Sequence, residues 1–301
     1  MKWAEAAEKN YLKNFRIESA ISSPRTGKII LFFATIFFVI LLFFLTNANL
    51  PKITFFDLGV FALLFIVYYG IKAFAFQQTF AALAQKISFM ASLKSFFISD
   101  FIELISFSGK LGGDASKFLI FKNKIPNKEL LFSIVLFRAI GIASLAATVA
   151  LFVLWEAKSF ELITIIGAIS LTATAIYFKI IAKNEKHNYF RLAIAFAANT
   201  ICQALSVLTM LLVIIIFGIP ITSLSWLVGA FIVSRSIGIV TLLPFGFVTQ
   251  DISFSIYLSQ FLDVQGLISF NAFLRIVSVL PSTIIGWFIV SKKISETRKQ
   301  K

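Results

Sequence analysis

Residues 95–121 read SFFISDFIELISFSGKLGGDASKFLIF, two apolar arms separated by glycines and an aspartate. Asp114 lies in the second arm, and Arg138 lies within the next apolar segment. Charges inside lipid-spanning segments are costly unless they are paired or hydrated, so they mark functional positions by default. The stretch therefore predicts a broken helical hairpin in a membrane protein, next to a helix that carries a buried arginine.

The same arrangement recurs in residues 228–261, VGAFIVSRSIGIVTLLPFGFVTQDISFSIYLSQF. The sequence spacing between Asp251 and Arg275 equals the spacing between Asp114 and Arg138. When the two stretches are superposed on these pairs without a gap, Gly109 also aligns with Gly246, and Ser116 aligns with Ser253. A costly charge pair that recurs at the same spacing indicates a duplicated membrane unit.

The composition places the chain among polytopic membrane proteins. It has 301 residues, of which 59% are hydrophobic and only 14% are charged, and its mean hydropathy is +0.92. A soluble chain of this length would carry more charge. The net charge of +14 is spread over segments between apolar spans. We therefore expect contact with anionic lipid headgroups rather than with nucleic acid.

Six apolar segments approach or exceed the roughly 20 residues that cross a bilayer. They cover residues 29–47, 54–76, 130–155, 161–182, 191–218 and 268–290. The arms of the two broken stretches are too short, because about 12 residues rise only about 18 Å as a helix. We predict an all-α polytopic membrane protein with about six full spans plus two re-entrant helical hairpins arranged as an inverted repeat.

The distribution of basic residues predicts the orientation. If both hairpins are re-entrant, 21 Lys and Arg residues, Lys72 among them, lie inside and only Lys52 and Lys158 lie outside. This bias predicts a multi-pass protein of the cytoplasmic (inner) cell membrane with both termini in the cytoplasm. The two hairpins then enter from opposite faces, which is the arrangement found in alternating-access carriers.

Three regions follow from this layout. Residues 1–28 are expected to form a basic, amphipathic cytoplasmic lead-in that lies on the headgroups. Residues 29–290 form the transmembrane domain, and residues 291–301 form a basic cytoplasmic tail.

The two arginines are the main candidates for ligand binding. Each lies about eight residues into its predicted span, so roughly 12 Å deep. A guanidinium at that depth favours a planar anionic partner, either a carboxylate or a phosphate. Asp114 and Asp251 are natural resting partners of Arg138 and Arg275, and a phosphorylated headgroup could displace them. Alternatively, each pair only pins a hairpin to the next span, and the two roles can coexist.

Other residues of the hairpins extend the candidate site. Backbone N–H groups at the glycine-rich tips could bind the same anion. The substrate-binding candidates at the tips are Gly109, Gly112, Gly113, Lys117, Pro244 and Gly246. Asp100 and Glu103 could accept protons if transport is coupled to a proton gradient, or they could be static partners of a buried cation.

The segment SGKLGGDASKFLI resembles the Gly-Gly-Asp segment of the lysylphosphatidylglycerol synthase transmembrane region family, also called flippase-like proteins. LLPFGFVTQD is similar to the Leu-Pro-Gly-Gly-x-Gly-x-x-Glu segment of that family, and SFNAFLR to its following arginine span. Phe245 and Val248 stand where the family usually has glycine. Asp251 replaces the usual glutamate, and Lys117 stands where arginine is common.

The resemblance implies a membrane part associated with moving lipids between leaflets. Some members carry a soluble C-terminal aminoacyltransferase domain, whereas the present sequence runs only to Lys301, so we do not expect synthase activity from it. Some archaeal relatives are linked to glycosyl transfer from lipid carriers, which supplies a second function.

Three functions therefore remain open. The first is an integral membrane flippase or carrier of a lipid with a phosphate headgroup. The second is a membrane enzyme acting on a polyprenyl-phosphate-linked substrate, and the third is a scaffold without a substrate. The sequence holds no HExxH, P-loop or GxSxG motif and no cysteine–histidine pair, which favours the carrier over an enzyme. We expect a phospholipid or lipid-linked substrate, with no metal and no cofactor, and the oligomeric state stays open.

Overall fold

The computed structural model describes residues 53–105, 110–157, 188–220, 224–240 and 246–299. All regular secondary structure in these ranges is helical. The helices are α1 Phe55–Ala82, α2 Phe89–Ile105, α3 Lys110–Phe121, α4 Asn127–Ala157, α5 Tyr189–Ile216, α6 Leu224–Val240, α7 Gly246–Leu258, α8 Val264–Ser278 and α9 Leu280–Lys299.

Polar side chains set where several of these apolar helices begin. The Asp57 carboxylate accepts a hydrogen bond from the Thr54 backbone N–H at 2.8 Å, and Thr54 Oγ1 accepts one from Asp57 N at 3.2 Å. This reciprocal capping box satisfies two of the backbone donors that a helix start leaves open. Asn188 caps α5, and Asp263 caps α8 by accepting from Gly266 N at 2.7 Å.

Three helices are long and apolar enough to cross a membrane: α1, α5 and residues 127–149 of α4. They confirm the predicted segments 54–76, 191–218 and 130–155, and the chain is a helical membrane protein. The predicted spans 29–47 and 161–182 lie outside the described residues. The described part therefore holds three such helices, or four with the bent pair α8–α9, rather than the six spans that were predicted.

The predicted span 268–290 is bent, and it consists of two helices rather than one. Helices α8 and α9 meet at an angle of 46° on either side of Val279. Pro281 explains the break, because it has no N–H to donate to the carbonyl of Val277 and its ring crowds the preceding turn. The backbone N–H of Val279 still donates to the Arg275 carbonyl at 2.9 Å, so α8 ends in a closed turn.

Each of the two predicted hairpin stretches contains two helices that pack against each other. In α6 and α7 the ring of Phe231 lies 5.4 Å from that of Phe254, and Trp226 lies 5.2 Å from Tyr257. From Trp226 to Phe231 the chain advances along α6, whereas the partner in α7 moves back from Tyr257 to Phe254. The two helices therefore run antiparallel. Helices α2 and α3 also pack against each other.

Two aromatic clusters form most of the core in the described ranges. The first joins α1, α2, α3 and α4. In it Phe137 of α4 packs against the rings of Phe76 and Phe96, and the cluster also contains Phe80 and Phe121. The second joins α5, α6, α7 and α8 to the start of α1, and includes Phe61, Phe231, Phe254, Phe270 and Phe273. Each hairpin is thus anchored in its own cluster, and α1 contributes to both.

Helix α9 packs on α2 through Gly286, and this contact yields a prediction for stability. A Cβ at position 286 would overlap the carbonyl group of Phe97 and lie 2.9 Å from Phe101 Cβ. We expect Gly286→Ala to destabilise the protein by roughly 1–3 kcal/mol, because the two helices must separate. Thermal unfolding in detergent measures the effect. Gly70→Ala is the matched control, since its Cβ meets nothing within 4 Å, and an equal loss in both variants would contradict the close packing.

Candidate functional site

A cavity of about 320 Å³ lies where the two aromatic clusters meet. Residues from α1 to α8 line it, so both hairpins and the long helices α1, α4 and α5 contribute. Its charged lining residues are Lys72, Asp100, Glu103, Asp114, Lys117, Arg138, Arg235 and Arg275. The cavity therefore brings together charges that the sequence distributes over six helices, from Lys72 in α1 to Arg275 in α8.

The first predicted charge pair is formed and is joined by a third residue. Arg138 Nη1 donates to Asp114 Oδ2 at 2.9 Å. Lys117 Nζ donates to the other carboxylate oxygen at 3.1 Å and lies 5.0 Å from the centre of the Phe96 ring. The Lys117 side chain is 10% exposed, whereas those of Asp114 and Arg138 are about a quarter exposed. One carboxylate thus holds two cations, which leaves a local positive charge.

The second pair is simpler in geometry. Arg275 Nε donates to Asp251 Oδ2 at 3.1 Å, and its Nη2 donates to Oδ1, so the guanidinium holds the carboxylate with two parallel bonds. Arg275 lies in the last turn of α8, where the helix dipole favours a cation. Arg275 lines the cavity, whereas Asp251 is not part of the lining. Both predicted contacts are confirmed, and their role in substrate binding stays a prediction.

The two arginines occupy the same position in their helices. Helix α4 begins at Asn127 and α8 at Val264, in both cases earlier than the predicted spans. Arg138 and Arg275 are each the twelfth residue of their helix, so each lies roughly 17 Å from its helix start. The equal register in two separate helices is what a structural repeat would produce.

A second group of charges lies on α1 and α2. The Tyr69 hydroxyl donates to Asp100 Oδ2. The Lys72 ammonium lies 4.8 Å from the centre of the Phe96 ring and 5.3 Å from those of Tyr68 and Tyr69. Such contacts with ring faces stabilise a cation away from water.

The placement of Lys72 corrects the charge count. The sequence pattern assigned it to a cytoplasmic segment, but it lines the cavity within α1. The number of basic residues assigned to the cytoplasmic side therefore falls by one. Asp100 and Glu103, the proposed proton acceptors, line the same cavity.

The glycines of the first hairpin serve its packing. Gly112 and Gly113 lie in the first turn of α3 and are buried, and neither belongs to the cavity lining. A Cβ on Gly113 would lie 2.6 Å from Ser99 Oγ, so the glycine permits α3 to approach α2. Gly246 is the first residue of α7, whereas Gly109 and Pro244 lie outside the described residues. A role of these residues in ligand binding stays a prediction.

Several polar groups of the cavity were not among the predicted site residues. Arg235 lines it and makes no hydrogen bond or ion pair within the described part of the chain. Asn199 and Gln203 line it from α5 and are 6% and 8% exposed. The spacing of Asn199, Gln203 and Ser206 places them on one helix face, which was the available signal.

Comparison of the chain with protein-family models, curated proteins and solved structures finds no match. Within the described ranges, no group of three or more His, Cys, Asp and Glu side chains is arranged to hold a metal ion.

The two charge pairs respond differently to loss of the arginine. In Arg138→Gln, Asp114 keeps its bond from Lys117, whereas Arg275→Gln removes both charged donors that hold Asp251. We expect Arg275→Gln to destabilise the protein by roughly 2 kcal/mol more than Arg138→Gln, because hydrogen bonds to buried charges are strong. Thermal unfolding in detergent measures the difference.

A double variant supplies the control for this prediction. Adding Asp251→Asn to Arg275→Gln removes the unpaired carboxylate, so much of the lost stability should return. Equal destabilisation by the two arginine variants, or no recovery in the double variant, would show that the bonds do not hold the hairpins.

Proposed function

We propose that this protein is an integral membrane carrier that moves a lipid with a phosphate-containing headgroup between leaflets. The observation that carries the proposal is the convergence of five cations on one cavity in a helical membrane protein. They are Arg138, Arg275, Lys72, Lys117 and Arg235. Arginine binds the oxygens of a phosphate with the same fork of donors that it offers a carboxylate.

The resting ion pairs supply a physical reason for reversible binding. Arg138 and Arg275 are each held by a carboxylate. A phosphate that replaces the carboxylate keeps each guanidinium paired, so binding does not require an uncompensated charge in a low-dielectric site. The exchange also frees Asp114 or Asp251, and the hairpin that carries it can then shift relative to the adjacent helix.

The inverted repeat is part of the same proposal. It is supported by two helical hairpins, by the equal position of the arginine in α4 and α8, and by the same Asp–Arg bond in both units. If the hairpins enter from opposite faces, motion of one or the other opens the cavity to a different leaflet. Asp100 and Glu103 are the proposed proton acceptors, because both line the cavity in which we propose that the headgroup binds.

We also propose that the chain belongs to the lysylphosphatidylglycerol synthase transmembrane region family. The resemblance concerns segments that contain Asp114, Asp251 and Arg275, and these residues take part in the two ion pairs. A membrane phospholipid or lipid-linked substrate with an anionic headgroup is the expected partner.

The proposed orientation predicts which loops can be labelled from each side of the cytoplasmic membrane. Asn123 follows the first hairpin and Ser259 follows the second, and both are exposed. In a background that lacks the buried Cys202, an impermeant maleimide added to intact cells should label Ser259→Cys but not Asn123→Cys. Inside-out vesicles should give the opposite pattern, and labelling of both positions from one side would contradict the inverted repeat.

Leaflet exchange in proteoliposomes tests the carrier function directly. Fluorescent phospholipids in the inner leaflet should become accessible to an external quencher in the presence of the wild-type protein. The double variant Arg138→Gln/Arg275→Gln should lose at least about tenfold in rate, because the deep anion site is removed. Lys94→Gln is the control, since Lys94 is exposed and does not line the cavity.

The other outcomes separate the remaining functions. Leaflet exchange that persists in the double variant would contradict an anion site at these arginines. Turnover of a polyprenyl-phosphate-linked donor without leaflet exchange, by protein shown to be folded, would favour the membrane enzyme.

A further inference from the structure

Four oxygen atoms form a chain that runs from the cavity to the bend between α8 and α9. The Tyr69 hydroxyl donates to Asp100 Oδ2, and the Ser282 hydroxyl is its second hydrogen-bond partner. Ser282 Oγ in turn donates to the carbonyl oxygen of Val279 at 2.7 Å. Tyr69 and Ser282 are both buried. The chain therefore joins α1, α2 and α9 and ends at the residue on which the helix bends.

When Asp100 is ionised, this chain has fewer hydrogens than contacts. Three contacts link the four oxygens, but each hydroxyl supplies one hydrogen, and neither a carboxylate nor a carbonyl supplies any. Because Tyr69 gives its hydrogen to Asp100, Ser282 has a single hydrogen for both Tyr69 and Val279. Buried polar groups without a hydrogen bond are unfavourable, so one further proton would stabilise the chain.

A proton on Asp100 supplies the third hydrogen. The protonated carboxyl donates to the Tyr69 oxygen, Tyr69 then donates to Ser282 Oγ, and Ser282 keeps its bond to Val279 O. Hydrogen bonds that point in one direction along such a chain strengthen each other. Each of the three contacts then has its own hydrogen.

Asp100 also differs from the two aspartates that hold arginines. Asp114 and Asp251 each accept from an arginine, and a bonded cation favours the charged form of a carboxyl group. Within the described ranges, the hydrogen bond to Asp100 comes from the neutral hydroxyl of Tyr69. Asp100 can therefore take up a proton without the loss of an ion pair.

The charges next to Asp100 are compatible with both of its protonation states. From α1, Lys72 interacts electrostatically with Asp100, while its ammonium stays on the ring faces of Tyr68 and Phe96. On α2 itself, the Glu103 carboxylate lines the same cavity. The cation favours an ionised Asp100, and the second carboxylate favours a protonated one.

The other charged groups on the helices that pack against α2 are held elsewhere. Lys117 of α3 and Arg138 of α4 are both bonded to Asp114. Helix α9 has no charged residue before Lys292, which is exposed. Proton exchange at Asp100 therefore leaves the Asp–Arg pairs intact.

Val279 connects the chain of oxygens to Arg275. The backbone N–H of Val279 donates to the Arg275 carbonyl at 2.9 Å, and Val279 also lines the cavity. Ser282 holds the carbonyl of this same residue. A change at Ser282 therefore acts on the residue where α8 ends and, through it, on the turn that carries Arg275.

We propose that Asp100 binds a proton and that this proton controls the α8–α9 bend through Tyr69 and Ser282. With the proton bound, Tyr69 donates to Ser282, and Ser282 holds Val279. Without it, the one hydrogen of Ser282 serves either Tyr69 or Val279, so the contact between α1 and the bend is weaker. The inference adds a regulatory switch to the proposed carrier, and its consequence for transport rests on that proposed function.

Electron paramagnetic resonance distances across the bend test this inference. Val264 at the start of α8 and Phe288 in α9 are both exposed, so cysteines placed there can carry nitroxide labels in a background that lacks Cys202. In the full chain in nanodiscs, the mean distance between the labels should shift as the pH is lowered. Asp100→Asn is uncharged and supplies hydrogens through Nδ2, so it should keep the acidic distance at every pH.

Further variants test the individual links of the chain. Tyr69→Phe and Ser282→Ala each remove one hydroxyl and should abolish the response of the distance to pH. Thr283→Val is the matched control, because Thr283 Oγ1 also donates to Val279 O, at 3.0 Å, but is not a partner of Tyr69 in the described structure. Thr283→Val and Glu103→Gln should both keep the response.

Infrared spectroscopy of the same protein locates the proton. The protonated-carboxyl band that is lost in Asp100→Asn should titrate with the same midpoint as the distance. Tyr69→Phe should shift the frequency of this band, because the carboxyl group loses its hydrogen-bond partner. Glu129→Gln is the control and should keep the band, since Glu129 is also held by a neutral side chain, that of Gln85, but does not line the cavity.

The contrary outcomes are distinct. A distance that does not respond to pH, or a response that survives in Tyr69→Phe, would overturn the switch. A response that is lost in Glu103→Gln but kept in Asp100→Asn would also overturn it, because the proton would then bind elsewhere. Leaflet exchange without a response at the bend would leave the carrier function in place. A response at the bend without exchange of any lipid, by folded protein, would overturn the carrier function and leave the switch.

Discussion

An arginine at membrane depth must have an anionic partner, and this constraint organises both halves of the molecule. Each hairpin supplies the partner from about one turn past its tip, and the following helix supplies the arginine from its twelfth residue. Because the side chains have limited reach, the bond fixes how deep the hairpin lies relative to the helix. The aromatic clusters then fill the space around each hairpin, and the cavity is what remains between the two units.

The arginine occupies the same position in α4 and in α8, but the two ion pairs have different numbers of partners. Asp114 holds Lys117 as well as Arg138, whereas Asp251 holds Arg275 with two bonds. The first carboxylate can release one cation and still remain paired, and the second cannot. In the proposed carrier, this difference would make the two ion pairs unequally easy for an anion to displace and would favour one resting state.

Contacts could be predicted from the sequence where the residues involved have few other possible partners. An aspartate and an arginine in apolar segments have almost no other partners, so their contacts could be inferred without coordinates. The bend at Val279 depends on how one proline is accommodated, since many membrane helices continue past a proline. Lys72 resembled a loop residue because a lysine near a helix end usually reaches the headgroups. The position of the α5 amides in the cavity lining required the structure, because such groups usually join helices.

If the protein is the carrier that we propose, the distribution of polar groups around the cavity has a consequence for transport. Arg275 and Arg235 belong to the unit that contains the second hairpin, and Lys117 belongs to the first hairpin, whereas uncharged polar groups lie on α5, a long helix that packs along α1. A phosphate bonded to the arginines would follow the units that move. A polar group bonded to α5 would keep the headgroup aligned with a helix that need not move. A headgroup with both kinds of group can therefore bind differently in the two states, and only such a difference in affinity can shift the balance between them.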